Sequence, residues 1–462
     1  MDKLPNILFI MADQHRFDCT GYSNSNLART PCLDRLASDG MGFTNAYTPI
    51  PICCPARQAL LNGRRPEAFG ALWNYDNGLK TGALEPSEYS WPSDLKQLGY
   101  RTGHTGKWHV NPVHDPTAYG YDDYIDGEYW TFRKEKYPGA KAGGTWFGGI
   151  DPVPLEDSHT HWLARRTSAL MEKYTAEGKP WLIRMDFTEP HPPYRPAMPF
   201  AEMYRSADIP KWPGFDDDFK NKPYIQKQQL LSWGIENLGW DDWAPIIAKY
   251  FGMVSQMDSA IGRVLDKLDS LGIADNTIVI YSTDHGDMCG SHRMMDKHYV
   301  MYDDVIKVPF IMRWPGVITP GSVCRDFVYS ILDLPPSILE ITGLQPKEFF
   351  HGRSLLPLLK GQTPNDWRSE VISTYNGQQF GLYTQRMIRG SRWKYVWNHT
   401  DTDELYDMEN DPGELVNLIH EQSRKTIISE YRKKLYDELV RCGDSIVDSR
   451  WMKSQLLENK KI

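Results

Sequence analysis

Through its first three quarters the chain alternates short apolar runs with stretches of helical period, and that alternation leaves few architectures open. Ile7-Leu8-Phe9-Ile10-Met11-Ala12 is one unbroken apolar run. It is too short to cross a membrane, or to serve as the apolar core of a secretion signal with its cleavage site. It therefore reads as a buried strand, and no membrane association is expected. Thr30-Pro31 is a cap and first-turn pair opening a helix that carries Leu33, Leu36 and Ala37, with Gly40 closing it. Further on, a helix with Leu163, Leu170, Met171 and Tyr174 on one face precedes a strand at 181–187. A long helix through Val254, Met257, Ile261, Val264 and Leu268 precedes a strand at 277–282. Such a pattern predicts an α/β fold, a large, mostly parallel sheet flanked by helices, with ligands gathering where strands end.

Beyond about residue 365 the texture changes. Short strand-like runs at 371–375, 387–389 and 393–397 are separated by turn residues, and a final amphipathic helix spans 426–439. A chain of 462 residues exceeds what one core usually accommodates. The expected division is a catalytic domain over 1–365 and a smaller antiparallel-sheet-plus-helix unit over 366–462.

Lys and Arg number 52 against 60 Asp and Glu, a formal net charge of -8. That is the reverse of the basic footprint a nucleic-acid binder needs, so nucleic acid is excluded as a partner. Any anionic ligand must be held by a local cluster of cations and metal. Seven cysteines at irregular spacing form no CxxC pair and no disulfide framework. Together with the Met1-Asp2-Lys3 start, they predict reduced thiols and a cytoplasmic location.

The chemistry-bearing residues stand just after the expected strands. Asp13 ends the first, and Asp284-His285 follow the strand at 277–282, so oxygen and nitrogen donors from distant segments converge in metal-site fashion. Cys53-Cys54-Pro55-Ala56-Arg57 sets a thiol, a rigid proline and a guanidinium at fixed spacing before Leu60-Leu61-Asn62-Gly63-Arg64. Taken alone, Cys53 also reads as a thiolate nucleophile activated by Arg57 or by a helix N-terminus.

Together these residues resemble the type I, formylglycine-dependent sulfatases of the alkaline-phosphatase superfamily, in order and along essentially the whole chain. The stretches that carry the resemblance are Pro5 to Ile10 with Asp13, Cys53 to Arg57 with Gly63-Arg64, Gly106-Lys107-Trp108-His109, Pro190-His191-Pro192, Thr283-Asp284-His285-Gly286, and Lys297. Flanking text agrees: Arg313-Trp314-Pro315-Gly316, and Glu404-Leu405-Tyr406-Asp407 with Asn410-Asp411-Pro412-Gly413.

The resemblance implies an alkaline-phosphatase-like fold and a sulfuric ester hydrolase. It implies that Cys53 is oxidised by a maturation enzyme to formylglycine, whose hydrate offers one hydroxyl to attack sulfur and a second to expel sulfate. Asp13, Gln14, Cys53, Asp284 and His285 would hold one divalent metal. Arg57 would hold the formylglycine, Lys107 and Lys297 would balance charge on the sulfuryl oxygens, His191 would donate to an ester oxygen, and His109 would govern the second hydroxyl.

Two departures from the commonest pattern stand out: Asp13-Gln14 where paired aspartates are usual, and His285 where an amide is usual. Both resemble the branch of choline sulfatases and phosphonate monoester hydrolases. Oxygen-rich ligation points to calcium, and the single imidazole keeps manganese or magnesium in view. The expected substrate is a sulfated small molecule or carbohydrate, with Trp73, Trp108 and Trp146 as candidate stacking faces. A phosphonate or phosphate ester hydrolase is the alternative, a silent sugar-sulfate binder a remoter one, and an oligomer is compatible with the sequence.

Overall fold

The computed structural model describes residues 4–461 apart from 26 and 142; the Met1-Asp2-Lys3 start lies outside the described residues. Among them, fourteen strands form three sheets. They are β1 (Asn6–Asp13), β2 (Met41–Phe43), β3 (Ala46–Tyr47), β4 (Arg101–Gly106), β5 (Asp123–Ile125), β6 (Trp181–Pro190), β7 (Thr277–Thr283), β8 (Ile311–Arg313), β9 (Ser322–Cys324), β10 (Val328–Tyr329), β11 (Val371–Gly377), β12 (Tyr383–Arg389), β13 (Trp393–Asn398) and β14 (Glu404–Asp407). The large sheet runs β5-β4-β6-β1-β7-β8-β2-β9. It is parallel from β5 through β7, and β8 is antiparallel to both its neighbours.

Strand β1 explains why the sheet is covered twice. Successive side chains of a strand point to opposite faces, and here both faces are apolar. Ile7, Phe9 and Met11 join the core that holds Ala56, Leu60 and Trp91. Leu8, Ile10 and Ala12 join the one that holds Leu163, Met171, Met257 and Ile261. The helices His159–Ala176 and Trp240–Ser270 cover the second face, as their one-sided apolar stripes require. Each large side chain so buried contributes roughly 1.5–3 kcal/mol.

Helix Pro31–Ser38 is capped from far along the chain. The Thr30 side chain makes no cap hydrogen bond, and the Asp258 carboxylate accepts from Cys32 N at 3.0 Å and Leu33 N at 2.8 Å.

The C-terminal sheet runs β11-β12-β13-β14, antiparallel throughout. One face packs Ile388, Tyr395 and Trp397 against Ile428, Leu435 and Leu439 of helix Lys425–Arg441. The other sends Tyr375, Met387 and Val396 into the main core. Helix Lys425–Arg441 is not the last one; Arg450–Glu458 follows and buries Leu456 in the same cluster. No helix among the described residues is long and apolar enough to cross a membrane.

Candidate active site

Strand register builds the centre of the site. Ala12 and Thr283 are partners in adjacent parallel strands, so the residues that follow, Asp13 and Asp284, emerge side by side from the carboxyl ends of β1 and β7. Met11 pairs with Asp186 of β6, and Asp186 pairs with Gly106 of β4. Lys107 N donates to Asp186 O at 2.9 Å, which delivers the lysine to the same edge.

Cys53 opens helix Cys53–Asn62 after an extended Ile52. Pro55 stands in the first turn, where its missing N–H has no intrahelical partner to lose. Gly63 ends the helix at φ +78°, and a Cβ there would meet the Phe350 ring. The Cys53 Sγ lies 3.2 Å from His285 Nε2 and 3.7 Å from Asp13 Oδ1. His285 is oriented by its Nδ1, 2.8 Å from Gly286 O. Burial alone raises the Cys53 thiol, yet Lys297, Lys107 and His285 together hold it well below the usual thiol range.

Arg57, one helical turn beyond Cys53, is fully buried. Its guanidinium donates to Asp284 Oδ2 at 3.1 Å, Asp186 Oδ2 at 2.5 Å and Asp13 Oδ2 at 2.9 Å. Its donors thus go to three carboxylates and, at 3.4 Å, to Lys107 O. Asp186, which also takes Arg184 Nε at 2.8 Å, is the anchor that sequence motifs missed. The signal was an Arg-x-Asp pair inside an otherwise apolar strand.

The cations complete the cluster. Lys107 Nζ donates to Asp13 Oδ2 at 2.5 Å. Lys297 Nζ donates to Gln14 Oε1 at 2.9 Å and lies 3.1 Å from His191 Nε2, with Asp296 bracing it at 3.2 Å. His109 faces Asp76 at 3.4 Å; burial lowers its imidazole, but the Asp76 carboxylate and the neighbouring thiols raise it well above the usual histidine range. Asp287 and His292 have other partners, the first accepting from Tyr194 and the second paired with Asp217. Trp108 is core, packed edge-on to His104. Trp146 stands at the rim, edge-on to His191.

The donor set fits a divalent cation. Ligand atoms of Asp13, Cys53, Asp284 and His285 lie within 4.8 Å of one another, all on buried residues. Burial and the neighbouring Asp13 charge push the Asp284 carboxyl up, a repulsion that a bound cation relieves. The Gln14 amide oxygen accepts from Lys297 Nζ, and its Nε2 is buried without a hydrogen-bond partner among the described residues. Two carboxylates with one imidazole suit a hard to borderline ion.

Comparison with known proteins agrees. The family model described as sulfatase matches residues 5–344, and that for the C-terminal region of N-sulphoglucosamine sulphohydrolase matches 290–441. An arylsulfatase of Clostridium perfringens is 28% identical, with 94% of each chain covered. A Delta 4,5-hexuronate-2-O-sulfatase of Bacteroides thetaiotaomicron is 29% identical over 95% of this chain and 90% of its own. The crystal structure of a phosphonate monoester hydrolase of Agrobacterium radiobacter superposes with a TM-score of 0.81 at 24% identity, covering 95% and 96% of the two chains, a likeness of fold.

Proposed function

The chain belongs to the sulfatase family and is a sulfuric ester hydrolase; we propose that it acts through formylglycine made from Cys53 by a maturation enzyme. Asp13, Gln14, Asp284 and His285 are the ligands in this reading, and calcium is the preferred ion, with manganese or magnesium as substitutes. The observation that carries it is the meeting of Cys53 with Asp13, Asp284 and His285 in one buried cluster ringed by Arg57, Lys107 and Lys297. When present, the cation and the aldehyde hydrate together supply an oxygen nucleophile at neutral pH.

The chain's own residues do the rest. Arg57 fixes the three carboxylates, so the ligand geometry exists before the cation arrives. Lys107 and Lys297 bind the sulfuryl oxygens, whose charge is redistributed as the ester bond breaks. His191, held against Lys297, gives a proton to the departing alcohol oxygen. His109, paired with Asp76, manages the proton of the second hydroxyl. The substrate is a carbohydrate sulfate ester, the class for which the Bacteroides relative is named.

Residues 1–365 act as the catalytic domain in this account, and 366–462 as the smaller unit that closes one side of it. Seven cysteines without a disulfide among the described residues fit a reducing, cytoplasmic compartment. The test is hydrolysis of aryl and sugar sulfates beside an aryl phosphonate, on protein matured in the presence of the modifying enzyme. Preferential phosphonate release would assign the chain to the sister activity.

A further inference from the structure

Beside the proposed reaction centre lies a cavity of about 420 Å³, within the range of small-molecule sites. His191 lines it, and through its Nε2 the same ring meets Lys297. His191 is thus the wall shared by the sulfate position and this chamber.

Three kinds of group line the chamber. Trp130 is 65% exposed, with its indole 13° from parallel to the His159 ring and 6.3 Å away. A large indole left facing a concavity is a platform for the C–H face of a sugar ring. Two carboxylates come next, each already charge-balanced: Glu189 faces His159 Nδ1 at 3.0 Å, and Asp151 takes both Arg133 Nη atoms at 2.9 and 2.7 Å. Each keeps lone pairs free to accept from hydroxyls.

Arg195 is the exception. Its guanidinium makes one long hydrogen bond, 3.4 Å to Thr145 O, and its Nε is buried without a partner. No carboxylate pairs with it among the described residues. An unpaired guanidinium in the wall of a cavity is a site for an anion.

We propose that this chamber holds the alcohol component of the ester, and that the component is a sugar ring bearing a second negative group, carboxylate or sulfate, bound by Arg195. The proposal rests on the sulfatase reading above. It adds a substrate class and a specificity residue that the catalytic motifs do not contain.

The experiment compares kcat/KM of the matured enzyme on an aryl sulfate, a neutral N-acetylglucosamine sulfate, a sulfated uronate and a disulfated glucosamine. The expected result is a preference of at least about tenfold for one of the doubly anionic sugars over the neutral one, and which of the two wins identifies the group Arg195 takes. In Arg195→Gln that preference collapses, mainly through KM, and Arg195→Lys retains part of it. In Trp130→Ala the ratio of sugar to aryl hydrolysis falls about tenfold. Equal use of neutral and doubly anionic sugars, or an Arg195→Gln loss shared alike by all four esters, would overturn the proposal while the sulfatase reading stands. Hydrolysis of none of the four would overturn both.

Discussion

Asp13 and Asp284 stand side by side because the residues before them, Ala12 and Thr283, are register partners in neighbouring parallel strands. Two buried carboxylates facing one thiol and one imidazole form a charge arrangement that a divalent cation completes. Chelation is therefore expected to lower the melting temperature, and calcium or manganese to restore it. At a hundredfold excess over its dissociation constant the ion adds about 2.7 kcal/mol. Asp284→Asn is expected to abolish most of the metal-induced shift in a thermal melt, and an unchanged shift would place the ion elsewhere.

Asp186 holds Arg57 and Arg184 at once, from a fully buried position. Asp186→Asn leaves buried guanidinium charge uncompensated, which costs on the order of 3–5 kcal/mol. Chemical denaturation should show that loss together with weaker metal binding, since Arg57 spans Asp13 and Asp284, the proposed ligands. A near-neutral effect on both would remove Arg57 from that role.

Lys297 bridges Gln14 and His191. Lys297→Met removes the cation proposed to face the sulfuryl oxygens, and kcat should fall by roughly 10²–10³. A change confined to KM would instead mark Lys297 as a ground-state binder.

The alternation of strands and helices was legible in the sequence, and so were the candidate residues Asp13, Cys53, Asp284 and His285 that the fold brings together, because they sit at or near element ends, where motifs and apolar runs meet. Asp186 was not, since a carboxylate in mid-strand looks like a surface residue until its strand proves central. Nor was the cap on helix Pro31–Ser38, because Asp258 reaches it from a helix over two hundred residues away. Trp108 belongs to a motif stretch yet fills the core, while Trp130, which belongs to none, faces the chamber beside His191.

Acid should destabilise the C-terminal unit through His399. Burial, with Arg386 and Lys461 adding to it, holds this imidazole down to about 2, and neither ring nitrogen has a partner beside Trp397. Unfolded, a histidine takes its proton near 6.5. Below that pH the unfolded state binds the extra proton, so stability present above about 6.5 is lost as pH falls, by up to about 1.4 kcal/mol per pH unit. His161 and His351, each held at about 4, act in the same direction. In His399→Phe the slope of stability against pH between 6.5 and 4 should flatten, as read from denaturation midpoints.

The central claim is that position 53 carries an aldehyde in the working enzyme. Mass spectrometry of the tryptic peptide spanning residues 36–57, taken alongside sulfate release from the same preparation, tests it most directly, with Cys54 in that peptide as an internal control. Expected are an aldehyde at position 53, an intact thiol at 54, and sulfate release proportional to the modified fraction. Full sulfatase activity from protein whose Cys53 remains a thiol would contradict it.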